Sequence, residues 1–216
     1  MPNQGDIIKF IDHKNKLVRP HVIYADMECT LIKTDDKMKI ARHVPNSCAF
    51  RYVCTYDSSR NLYQQFKGET CVKDMLLELF KLSSECINEM QHNERMIMRK
   101  RDYEDFKNAT TCHICKCAFE NEKCKVRDHD HRTGEYRGAA HNKCNINYYN
   151  NRYVPVVFHN MRGYDGHFIL KEGYMLGKAC KDIVPVAQNN EKFLSFQIGK
   201  LKFIDSMFFV LKKKHH

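Results

Sequence analysis

Four residues in two pairs carry the plainest chemistry in the sequence. Cys112 and Cys115 are separated by two residues, and so are His141 and Cys144. Each pair can present two soft or borderline donors to one tetrahedral metal, and the intervening stretch is long enough for a hairpin and a turn. The spacing predicts a structural zinc. Cys117 or Cys124 could take the place of one of these ligands, and unligated cysteines are the bland alternative. Zinc held this way contributes on the order of 10 kcal/mol of folding free energy, enough to hold a module too small for a core of its own.

Between the two pairs lies Asp128-His129-Asp130-His131. Four metal-competent residues in a row cannot all serve a zinc already satisfied by its knuckles, so they need a second role. If Val126 to His131 is a strand, Asp128 and Asp130 face one way and His129 and His131 the other. A neutral imidazole can take a proton from water, and a divalent cation can neutralise a scissile phosphate and its departing oxygen. Arg127, Arg132, Arg137, Lys123, Lys125 and Lys143 surround the cluster and could bind a phosphate backbone without reading bases. A zinc module that binds DNA without cutting it fits the same residues.

A second set of carboxylates lies outside this stretch. Asp26 and Glu28 end an apolar run, HVIYADMECTL, that reads as a central strand after Pro20. Two residues apart on a strand, they point to the same face and could hold one magnesium or manganese ion; two solvated carboxylates at a strand end are the alternative. Asp165 falls at the start of a short helix predicted after the Gly163 turn, which would bring a third carboxylate to the same end of the sheet.

The elements that must position these groups follow in order. Cys48–Tyr56 and Leu62–Phe66 alternate around a turn-rich 57–61 and predict a hairpin. Residues 69–90 place Val72, Leu76, Phe80 and Ile87 on a helical period, which is a helix packed on a sheet. Residues 91–108 turn polar and read as a helical connector bearing Arg99-Lys100-Arg101. The zinc module spans 109–151, with a strand, the 133–135 turn, and a helix carrying the second knuckle and Asn145. Tyr153–Asn160 is again a strand, and 182–205 reads as further antiparallel strands with turns at Asn189-Asn190 and Gly199-Lys200.

The whole composition bounds the setting. With 216 residues and 43% hydrophobic content the chain can bury a proper core. A net charge of +10 points to a polyanionic partner, nucleic acid first and an acidic membrane surface second. Eleven scattered cysteines fit metal binding better than a disulfide framework. No long apolar run and no signal-peptide pattern occurs, which predicts an intracellular protein without a membrane partner. Lys212 to His216 reads as a cut edge or a tag with no catalytic part.

The stretch Cys112 to Asn145 resembles the ββα-metal, or HNH-type, fold of the recombination endonuclease VII family, through Cys112, Cys115, Asp128 to His131, Arg137-Gly138, Cys144 and Asn145. The family commonly has Cys where this chain has His141. The resemblance implies that Asp128 and Asn145 hold a catalytic magnesium and that His129 is the general base. The flanks YADMECTL and FHNMRGYDGHFIL resemble the first two motifs of the 3′–5′ exonuclease domain of family B DNA polymerases, particularly the protein-primed kind of viruses and self-replicating transposons. That resemblance implies a ribonuclease H-like α/β scaffold in two parts, 1–108 and 152–216, with the 109–151 module inserted between them. Asp26, Glu28 and Asp165 would then bind a metal pair, and Asn160 would position the DNA end. No tyrosine after Asp165 has an aspartate four positions on, so the third exonuclease motif is missing, and no palm motif for polymerisation is present. The expectation is a nuclease acting on branched or single-stranded DNA at nuclear, viral or transposon replication sites, with a homodimer as one way to pair its cuts.

Overall fold

The computed structural model describes residues 19–35, 40–148, 153–176, 183–187 and 193–207. Their contacts form two units, one of Arg19–Cys86 with the residues from 153 onward, the other running from Ile87 to 148. The division falls inside a long helix. Along the chain the elements are β1 (His21–Ile32), β2 (Arg42–Cys54), β3 (Leu62–Lys67), α1 (Cys71–Gln91), α2 (Lys100–Asn108), β4 (Lys125–His129), β5 (Tyr136–His141), α3 (Asn142–Tyr148), β6 (Val154–Phe158), α4 (Asp165–Met175), β7 (Ile183–Ala187), β8 (Phe193–Ile198) and β9 (Leu201–Asp205).

In the first unit seven strands form one sheet in the order β3-β2-β1-β6-β9-β8-β7. β1 runs antiparallel to β2 and parallel to β6, and β6 runs parallel to β9. The alternation along β1 decides what each face does. His21, Ile23 and Met27 are buried, whereas Tyr24, Asp26 and Glu28 between them are exposed. β2 repeats the pattern with Cys48, Phe50, Tyr52 and Cys54 turned inward. Against that inward face α1 buries Cys71, Val72, Met75, Leu76 and Leu79, the helical stripe expected from the spacing. At the other end Phe196 stacks on Phe203 at 4.9 Å, and α4 comes so close that a Cβ at Gly166 would lie 3.4 Å from the Phe196 ring and 3.2 Å from the Met161 carbonyl.

In the second unit β4 and β5 form an antiparallel pair with a bulge between Asp128 and His129, and α3 follows β5 directly. Three expectations are corrected. Past Gln91, which closes α1, the 91–108 connector is helical only from Lys100 to Asn108, and Glu94 and Ile97 instead donate backbone hydrogen bonds to the carbonyls of His131 and Gly134, both at 2.7 Å. The strand from Val126 ends at His129, because the Asp130 carboxylate accepts from the amides of Arg132 (2.8 Å) and Thr133 (3.2 Å) and closes a turn. β9 is parallel to β6, and only its pairing with β8 is antiparallel. The Gly199 turn is present at φ 57°; Asn189-Asn190, Lys212 to His216 and the first 18 residues lie outside the described ones. No helix among the described residues is long and apolar enough to cross a membrane.

Candidate metal and catalytic sites

The first knuckle is a tight hairpin. Cys112 N–H donates to the Cys117 carbonyl (2.9 Å), Lys116 N–H to the Cys112 carbonyl (2.9 Å), and Lys116 takes a left-handed φ of 65°. β5 then delivers His141, and α3 delivers Cys144. The ligand atoms of Cys112, Cys115, His141 and Cys144 all lie within 4.8 Å of one another. Nδ1 of His141 faces the thiols, 3.4 Å from Cys115 Sγ and 3.9 Å from Cys144 Sγ, while its Nε2 donates to the Ala118 carbonyl at 3.2 Å. That outer bond fixes the tautomer that leaves Nδ1 free to bind a metal. Phe119 packs on the same ring at 4.8 Å, and Ile114, Ala140 and Val126 complete a small apolar cluster.

Burial opposes ionisation of Cys115, but hydrogen bonds from Cys117, Cys112 and Cys144 bring its pKa below the ordinary thiol value. Burial and the hydrogen bond to Cys115 push Cys144 up to about 12. The donor set fits a tetrahedral metal such as zinc, and neither Cys117 nor Cys124, the alternatives from spacing, is in the converging group. Among the described residues no other group of three or more His, Cys, Asp or Glu side chains converges this closely.

Asp128 sits beside this cluster on β4 and is only 1% exposed. Arg137, across the ladder, donates to both of its oxygens, Nε to Oδ2 at 3.0 Å and Nη2 to Oδ1 at 2.8 Å. His113, inside the first knuckle, donates Nε2 to Oδ2 at 2.8 Å. Burial alone would raise the carboxyl pKa, but the bonds from His113 and Arg137 hold it below the usual value. Asp128 is therefore ionised, and its three hydrogen bonds leave about one lone-pair position for a cation. Gly138 makes this packing possible: at φ 152°, a Cβ there would lie 2.8 Å from Cγ of His113.

The bulge turns His129 away from that buried pocket. Its ring lies 4.8 Å from the His131 ring, and Nε2 is a long 3.4 Å from Oδ1 of Asn93. Burial and the neighbouring His129 lower the His131 pKa. Asn145 is half-buried on α3. Of the cations expected to line a DNA path, Arg127 lies over the Phe106 ring at 4.7 Å, Arg132 and Lys143 are at the surface, and Arg137 is engaged with Asp128. Lys125 is a correction. Its side chain is buried, with Nζ bonded to the carbonyls of Lys107 (3.3 Å) and Ala109 (3.1 Å) and to Glu122 (3.2 Å), so it braces α2 instead of reaching a phosphate.

Residues 88–158 match the family model of recombination endonuclease VII. The match covers about a third of the chain and begins ahead of the first knuckle, so that Asn93 and the 92–98 segment lie within the endonuclease VII-like region. No curated protein matches the chain.

The carboxylates of the seven-stranded sheet form a separate group. Asp26 and Glu28 are exposed on β1, and Asp165 opens α4. Burial, then the charges of Asp26, Glu28 and Asp205, raise the Asp165 pKa to about 7. Asp205, which sequence reasoning missed, ends β9 fully buried and accepts from the amides of Asn160 (3.0 Å), Arg162 (3.0 Å) and Met207 (2.9 Å). It pins the loop carrying Asn160, whose φ is 61°. The available signal was the alternation Leu201, Phe203, Asp205, which puts an acid at an inward position.

Proposed function

We propose that the chain is a metal-dependent DNA endonuclease acting through residues 87–148, with zinc as the structural ion and magnesium or manganese as the catalytic one. The observation that carries this is the endonuclease VII match laid over a metal knuckle that braces Asp128 next to His129. His129, half-buried at the bulge, takes the proton of the attacking water. Asp128 and Asn145 would hold the divalent cation, which when bound neutralises charge on the scissile phosphate. Arg127, Arg132 and Lys143 hold the phosphate backbone; Arg137 acts by keeping Asp128 ionised and oriented. His129→Ala is expected to stop nicking of circular DNA while the folded protein keeps its zinc, and nicking at the parental rate would end this reading. A protein that only binds DNA would bind in a salt-sensitive way and cleave in no divalent metal.

Asp26 and Glu28 on one face of β1, and Asp165 at the start of α4 with its carboxyl raised by burial and by their charges, favour a second activity, 3′–5′ exonuclease, in the first unit. Strand order β3-β2-β1-β6-β9 supports a ribonuclease H-like scaffold; the origin of that scaffold in a DNA polymerase-like protein, with the 109–151 module inserted in it, rests on the flanking motifs alone. Asp26, Glu28 and Asp165 would hold the metal, and Asn160 would place the DNA end. Asp26→Ala with Glu28→Ala should remove digestion of single-stranded ends; an unchanged rate rules it out.

A further inference from the structure

The exposed face of β1, β2 and β3 carries an ordered set of side chains that neither site uses. Strand register places Tyr24 beside Arg51 and Arg51 beside Tyr63, one row across three strands. Tyr24 is 51% exposed and Tyr63 63% exposed, and Arg51 between them is exposed as well. The helix-covered face lies on the other side, where Ile23, Phe50 and Tyr52 are buried. The next row on the open face is Asp26, Ala49 and Gln65, and the one after it is Glu28, Ser47 and Lys67. The residues of β2 in these two rows, Ala49 and Ser47, are small.

Adjacent strands are about 4.8 Å apart and residues two apart on one strand about 7 Å. The aromatic row is thus one step from the carboxylates and on their face. Exposed aromatic rings flanking a cation on an open sheet are the means by which proteins stack unpaired bases while a guanidinium takes the phosphate. We propose that Tyr24, Arg51 and Tyr63 form a binding platform for single-stranded DNA, with bases stacked on the two tyrosines and a phosphate on Arg51, from which the strand passes to Asp26 and Glu28. Lys67 supplies a second cation at the rim. A structural surface row would bind no strand, and a duplex cannot offer its base faces to the rings. This inference rests on the exonuclease reading of the carboxylates and assigns its substrate track.

The test uses the full chain, a single-stranded oligonucleotide carrying 2-aminopurine, and calcium in place of magnesium, so that binding is read without cleavage. Tyr24→Ala with Tyr63→Ala is expected to weaken binding about tenfold and to abolish quenching of the 2-aminopurine, while duplex affinity stays unchanged. Phe at both positions should keep affinity and quenching, which separates stacking from any role of the hydroxyls. Arg51→Ala should flatten the salt dependence by about one phosphate contact. Circular dichroism confirms folding of these surface variants. Unchanged single-strand affinity in the double Ala variant overturns the platform, as does an equal loss for duplex DNA. Digestion by Asp26→Ala, Glu28→Ala tests the exonuclease reading separately, because the platform is read by affinity alone.

Discussion

Nε2 of His113 lies 2.8 Å from Oδ2 of Asp128, so a residue lodged between two candidate metal-ligand cysteines also braces the carboxylate beside the proposed general base. The second brace is Arg137, whose fork spans both oxygens. Arg137→Ala would leave a 1%-exposed carboxylate with one partner. A buried ion pair broken on one side costs about 3 kcal/mol. Chemical denaturation should show a loss of that order, and a smaller loss for Arg137→Lys, which keeps the charge without the fork.

Gly138 sets the space for that arrangement. A Cβ at φ 152° and 2.8 Å from Cγ of His113 adds backbone strain to a clash. Gly138→Ala is expected to destabilise by about 2 kcal/mol and to shift the His113 ring resonances in NMR spectra. Unshifted resonances would show that the ring has room to spare.

The knuckle cluster makes metal removal a folding experiment. With a small apolar cluster of Cys112, Ile114 and Ala140 and their half-buried neighbours around the knuckles, the region from Ile87 to 148 is expected to depend on a metal held there. A strong chelator should expose its amides to hydrogen exchange, with β4 and β5 losing protection first, while β1 and β2 keep theirs. Cys144→Ser should reproduce the effect without a chelator.

His21 gives the other unit a pH dependence. It is buried, its Nδ1 lies 2.8 Å from the Tyr52 hydroxyl, and burial followed by the charge of Arg60 lowers its pKa to about 4. The unfolded chain then binds the proton more readily, near pH 6.5. Stability from neutral His21 is complete above pH 6.5 and is lost as pH falls from there towards 4. Thermal melts across that window should show the decline, and His21→Leu should flatten it.

Much of this could be read from residue order, because it depends on local spacing. Cys112, Cys115, His141 and Cys144 announce a shared metal by spacing alone, and the α1 stripe and β1 alternation follow from helical and strand periods. What escaped depends on pairing across the chain. His113 and Arg137 meet at Asp128 only through the β4–β5 register and its bulge, and sequence shows neither. The 92–98 segment has no periodicity because it is held by backbone bonds to the 131–134 turn. β9 reads as one more hairpin strand, yet the chain reaches its place beside β6 only by way of α4, β7 and β8, and that pairing brings Asp205 under the Asn160 loop.

Nicking of covalently closed circular DNA in magnesium separates the two sites most directly, because a closed circle has no end for an exonuclease. The parent chain and the Asp26→Ala, Glu28→Ala variant should both convert the supercoiled form to relaxed circles, while His129→Ala, folded and loaded with zinc, should leave it supercoiled. Relaxation by His129→Ala at the parental rate would contradict the assignment of cleavage to the zinc-braced site.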